Sequence, residues 1–199
     1  MGSNWRDLAL LKNEFVFRGV SHAYDDVSSL YFYRETVTTN LYVVPIAKNH
    51  AINLCIYLES EKEPFRIQGS CGSSIVGRGG VGKHIEPIME LYGHLAARTF
   101  EIRTKKYLAQ VSGNSEFTYD KKTFKISGHV IDGRKIVDIF KAKTLRRPFT
   151  LLLWAAPSAS FVDKMKQRIL LADIRISTLY DQDVFYALLA KLYNVSCKN

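Results

Sequence analysis

The sequence predicts an α+β chain of two similar halves, each an antiparallel β-sandwich or bent barrel closed by a C-terminal helix. Three observations carry that expectation. The stretch Asp181 to Tyr193 (DQDVFYALLAKLY) sets Val184, Phe185, Leu188, Leu189 and Leu192 on one helical stripe, directly after a run of strand patterns. Lys83 to Arg98 does the same earlier, with Ile85, Ile88, Met89, Tyr92, Leu95 and Ala96 at helical spacing after another run of strands. Between them the strand pattern restarts after Gly113-Asn114, so the expected division is 1–112, with a closing helix over 83–112, and 113–199, with a closing helix over 181–193.

Taken in order, Glu14 to Val20 alternates as a first strand, and Ser21 to Asp26 has turn chemistry, with Asp25 and Asp26 as turn formers. Val27 to Thr39 is rich in aromatic and β-branched residues and reads as a long strand. Leu41 to Ala47 follows as another, with Pro45 marking an edge or a bulge, and Lys48-Asn49 is read as a turn into the strand His50 to Leu58. Phe65 to Gln68 is a last short strand before the glycine-rich connection Gly69 to Lys83. The helix that follows tolerates Pro87 near its start and extends through Tyr107, Leu108 and Val111. In the second half, Phe117-Thr-Tyr119, Phe124 to Val130 and Lys135 to Lys143 are strands, the last two joined at Asp132-Gly133. Leu145 to Pro148 reads as a turn, Phe149 to Ala156 as a central strand, Phe161 to Arg168 as helix or strand, and Ile169 to Ser177 as a strand. Thr178 to Asp181 has a helix-start pattern.

Composition limits the possibilities. A chain of 199 residues with 47% apolar content is long enough for two small cores. No apolar run approaches the roughly 18 residues a membrane helix needs; the longest, Phe149 to Pro157, has the length of a buried strand. The first residues lack the pattern of a secretory signal, and Arg6 stands where a myristoylation site requires Ser or Thr. Cys55, Cys71 and Cys197 are odd in number and form no Cys-x-x-Cys pair, which points to free thiols and a cytoplasmic location.

Charge is the main functional signal. Lys and Arg total 28 against 19 acids, a formal +9. From Arg98 to Arg175 the bases cluster at Arg103-Lys105-Lys106, Lys121-Lys122-Lys125, Lys141-Lys143-Arg146-Arg147 and Lys164-Lys166-Arg168. A surface of that sign concentrates polyanions around it, so the candidate partners are an acidic protein, another polyanion or nucleic acid, together with peripheral contact to anionic lipid. The alternative is a solvated, solubilising surface.

Strands capped by one C-terminal helix, repeated once, resemble the pleckstrin-homology-like fold, here in the tandem form of bacterial proteins. The residues that carry the resemblance are Phe15 to Leu58 with the helix Gly82 to Arg98, then Phe117 to Ser177 with the helix Asp181 to Tyr193. The resemblance implies a non-catalytic binding or scaffolding module whose basic loops hold an anion on a rigid sandwich. The expected ligand-binding residues are Arg78, Lys83, Lys121, Lys122, Arg146 and Arg147, with no metal and no cofactor.

A second resemblance gives the enzyme alternative. Gly77 to His84 (GRGGVGKH) is similar to a phosphate-binding P-loop, and Arg168 to Asp173 resembles the apolar run whose Asp holds magnesium in such enzymes. His84 replaces the hydroxyl ligand, and Glu14 to Gln68 offers strands without the intervening helices of a nucleotide-binding domain. The five histidines show no metal-ligand spacing, and there is no Gly-x-Ser-x-Gly elbow. Aromatics beside bases at Tyr31 to Arg34 and at Phe117 to Lys122 make nucleic-acid stacking a third reading, weighed against half of each strand's aromatics facing a core.

Overall fold

The computed structural model describes residues 5–42, 44–74, 82–154 and 173–195. The chain is α+β, and every strand pairing among the described residues is antiparallel. It divides into two compact units, Met1–Arg103 and Thr104–Asn199. Among the described residues there are two α-helices and four open sheets, with no closed barrel. Among the described residues, no helix is long and apolar enough to cross a membrane.

The first unit holds two three-stranded meanders, β1 (Leu8–Leu10), β2 (Glu14–Phe17) and β3 (Val20–Ala23), then β4 (Val27–Leu41), β5 (Val44–Leu58) and β6 (Phe65–Ser74). The single strand expected over Glu14 to Val20 is a hairpin instead. Arg18 and Gly19 both adopt positive φ, at 52° and 81°, which is the signature of the tight turn that follows strand twist. Nor is there a turn at Lys48-Asn49. Those residues pair with Thr38 and Val37 inside β5, and the chain reverses beyond Leu41, where Tyr42 has φ 56°. Pro45 sits opposite Asn40 beside a register shift, as a residue without an N–H requires. β6 runs on to Ser74, well past Gln68, because its glycines and serines still offer a full set of backbone partners to β5.

Helix α1 (Gly82–Asn114) begins in this unit and ends in the second. Its buried positions Ile85, Ile88, Leu95, Ala96, Thr99, Arg103 and Tyr107 recur at helical spacing, while Met89 is exposed. Tyr92 stacks on Phe32 of β4 with ring centroids 4.2 Å apart. Arg98 lies over the Tyr24 ring and donates to the Leu11 carbonyl and the Tyr24 hydroxyl. Arg103, counted among the surface bases from sequence, is only 1% exposed. Its guanidinium donates to Thr99 Oγ1 at 2.9 Å and to the Ala96 carbonyl at 3.0 Å, so its charge is withdrawn from the surface. Burial pushes the Cys55 thiol up, against the opposing pull of Arg66.

The second unit holds a four-stranded meander, β7 (Glu116–Tyr119), β8 (Lys122–Lys125), β9 (His129–Asp132) and β10 (Lys135–Asp138). A three-stranded meander follows, β11 (Lys143–Arg147), β12 (Thr150–Trp154) and β13 (Ile174–Ser177), and then α2 (Gln182–Tyr193). Three expectations change here. Phe124 to Val130 is broken in two by the turn at Gly128, whose φ is 90°. Lys135 to Lys143 is a strand only as far as Asp138. Leu145 to Arg147, read as a turn, lies in β11, where backbone pairing to β12 overrides the local Arg-Arg-Pro signal. The region Phe161 to Arg168 lies outside the described residues.

Of the stripe expected on α2, Val184, Phe185, Leu188 and Leu189 are buried and Leu192 is half-buried. Phe185 stacks on Tyr119 at 3.9 Å and meets Phe124 edge-on at 5.5 Å, which joins the helix to the four-stranded sheet. The next residue, Tyr186, lies under Arg146 of β11, so the same turn of helix also meets the three-stranded sheet. Asp181 precedes the helix in a left-handed conformation, φ 41°, and its carboxylate makes no capping bond. That carboxylate instead accepts from the Tyr107 hydroxyl of α1 at 3.2 Å. Asn194, also left-handed, ends the helix by donating its N–H to the carbonyls of Ala190 and Leu189.

Candidate basic face of the second unit

Strand parity decides which bases of the second unit share a surface, because successive side chains of a strand point to opposite faces. Arg146 is in register with Leu151, which is in register with Ile176; Leu151 and Ile176 are fully buried. Arg146 therefore points into the unit, where its guanidinium carbon sits 4.0 Å from the centroid of the Tyr186 ring. Arg147 is one residue on and faces the other way.

The outer face is read off in cross-strand rows. Lys143 lies beside Trp154, Leu145 beside Leu152 and Arg175, and Arg147 beside Thr150 and Ser177. Lys143, Arg147 and Arg175 are exposed, and Leu145 between them is 40% exposed. Three cations thus surround a short apolar strip on an open sheet.

The β7–β8 turn adds a fourth cation through one acid. Asp120 Oδ2 accepts from the Ser177 N–H at 2.7 Å and from Lys122 Nζ at 3.1 Å. Ser177 ends the row that starts at Arg147, about 10 Å from it by two strand spacings, and the turn is fixed there to the edge of the basic face. Asp120 and Lys121 both take positive φ, 48° and 61°, as a two-residue hairpin turn requires. Lys121 is exposed at its tip. Lys122 is turned back onto Asp120 and its side chain is only 12% exposed, so its charge is largely neutralised.

The six residues expected from sequence separate accordingly. Lys121 and Arg147 face solvent at this site, Lys122 is spent on Asp120, and Arg146 is spent on Tyr186. Arg78 lies outside the described residues, and for Lys83 only the backbone, in the first turn of α1, is described. Lys143 and Arg175 were missed as a pair because they are far apart in sequence and meet only through the register of β11, β12 and β13. The parity of β11 was the signal that would have found Lys143 with Arg147, had that stretch been read as strand.

Other chemistry is sparse. Phe117 and Tyr119 belong to the buried ring cluster with Phe124, Phe185 and Tyr107, which removes them as a stacking platform for bases. Burial, with the nearby Tyr107 and Asp181, pushes the Tyr119 phenol well above its usual range, and its hydroxyl donates to the Tyr180 carbonyl. Burial alone pushes the Tyr193 phenol up in the same direction. No group of His, Cys, Asp or Glu among the described residues is arranged to hold a metal ion. Compared with known proteins, the chain matches no family model, no curated protein and no solved structure.

Proposed function

We propose that this chain is a non-catalytic binding module that takes an anionic partner on the outer face of its β11–β12–β13 sheet. The partner is an acidic protein surface, an anionic headgroup or another polyanion. The observation that carries the reading is the set of rows placing Lys143, Arg147 and Arg175 on one open face, with Lys121 anchored at its edge through Asp120. Exposed cations held on a rigid sheet attract a polyanion without having to be reorganised. We extend the reading to the fold: the second unit follows a pleckstrin-homology-like plan, supported by its four-strand meander, three-strand meander and C-terminal helix. The first unit has three strands in each meander before its helix.

Binding to heparin or polyglutamate tests the proposal. Retention falls as salt rises, because exposed charges are screened beyond about 8 Å at physiological ionic strength. Changing Lys143, Arg147 and Arg175 together to Gln flattens that dependence, whereas Arg146→Gln leaves it. Retention indifferent to salt, or unchanged in the triple variant, overturns the reading.

A further inference from the structure

The β4–β5–β6 sheet of the first unit has β4 at one edge, and every residue of that strand from Arg34 to Asn40 is exposed. A strand lying on a core shows alternate residues covered, so beyond Arg34, which donates to Met89 Sδ of α1 at 3.5 Å, this segment stands open on both faces. On the side away from β5, none of its backbone groups has a backbone partner among the described residues. Proteins ordinarily guard such an edge with charge, proline, a bulge or short length, since it is a template for another strand. Among the other edges, β1, β3, β7 and β13 are only three or four residues long, β10 carries Lys135 and Asp138, and β11 carries Lys143, Arg146 and Arg147; β6, whose only charge is Arg66, is interrupted by Gly69 and Gly72, which strands disfavour. Residues 36–40 of β4 read Thr-Val-Thr-Thr-Asn, with no charge at all, and the register shift at Thr39/Asn40 leaves the pairing from Ser29 to Thr39 regular.

We propose that this edge of β4 joins two copies of the chain, antiparallel about Val37, into one continuous sheet. The register is self-complementary. Val37 meets its own equivalent, Thr36 meets Thr38, Glu35 meets Thr39 and Arg34 meets Asn40, so no like charges stand directly opposed. Directly opposed β-branched pairs are favourable in antiparallel sheets. Charge selects the occupant. Two copies of a chain with a formal +9 repel over most of their surfaces, and the neutral segment is where they approach closely. An acidic partner strand would find no cation along residues 36–40. The same operation on β11 would set Lys143 against Arg147, which rejects a second copy there.

The test is mass against concentration for the full chain, from about 5 to about 500 µM, in about 0.15 M and about 0.5 M salt. Mass climbs from 22.7 kDa toward twice that value, and further at the higher salt. Val37→Lys and Val37→Glu each weaken association about tenfold or more by placing like charges across the two-fold axis, and an equimolar mixture of the two restores it. Hydrogen exchange of the wild-type amides at 36–40 slows as concentration rises, a measurement that needs no variant to fold. A wild-type chain that stays monomeric throughout, a dimer indifferent to the Val37 changes, a mixture that fails to associate, or unchanged exchange at 36–40 overturns the proposal.

Discussion

Gly128 lies so close to Phe140 that a Cβ built on it would stand 2.2 Å from Cε2 of the ring. Its φ of 90° is also one that other residues rarely adopt, so two separate costs meet at one position. Gly128→Ala is expected to lower unfolding free energy by about 2 to 4 kcal/mol, the sum of left-handed strain and overpacking. Adding Phe140→Ala recovers only the steric share, which urea titration of the two single variants and the double variant separates.

Arg146 and Arg147 are neighbours in sequence with opposite tasks. Arg146→Ala is expected to cost about 0.5 to 2 kcal/mol of stability through the lost contact with Tyr186, and to leave polyanion retention in place. Arg147→Ala changes stability by less than about 0.5 kcal/mol and lowers the salt at which the chain elutes from heparin. Melting curves and heparin elution on the same two proteins check both halves of the statement.

Lys121 holds a left-handed conformation at a position where glycine is the favoured residue. Lys121→Gly is expected to raise stability by about 1 kcal/mol and to weaken polyanion binding. A gain in both stability and binding would remove Lys121 from the site.

High pH probes the buried tyrosines. The folded-state phenols of Tyr119 and Tyr193 are both raised, so their contribution to stability is complete below the unfolded tyrosine pKa and is lost as pH rises above it. Above about pH 10 each is expected to remove about 1.4 kcal/mol per pH unit, read as a falling urea midpoint between about pH 9 and about pH 11.5. The Tyr193 hydroxyl is buried with no hydrogen-bond partner among the described residues. Tyr193→Phe should therefore be neutral or stabilising at pH 7 and should make the alkaline slope shallower.

The helices were legible because their evidence is local and periodic: Val184, Phe185, Leu188 and Leu189 are all buried, as their spacing requires. The α+β class and the run of antiparallel strands were legible for the same reason. Turns were less so. Arg18-Gly19 is hidden inside an alternating run, whereas Asp132-Gly133 carries its own turn signal, and Gly133 has φ 58° in the turn between β9 and β10. Lys48-Asn49 looked like a turn and pairs inside β5, since long-range pairing outweighs dipeptide preference. The site was half legible: charge showed that a basic surface exists, but which cations share it depends on register. Whether Lys122 and Arg103 keep their charge exposed depends on Asp120 and on burial within α1, and neither follows from spacing alone.

The two-residue period of β11 makes its arithmetic unforgiving. Removing Thr144 while β12 stays where it is would exchange the destinations of the two arginines: Arg146 would be delivered to water and Arg147 to the neighbourhood of Tyr186. Such a deletion leaves the tally of cations untouched and still rewrites the charge pattern a visiting molecule meets, so in this strand a missing residue does more harm than a substituted one.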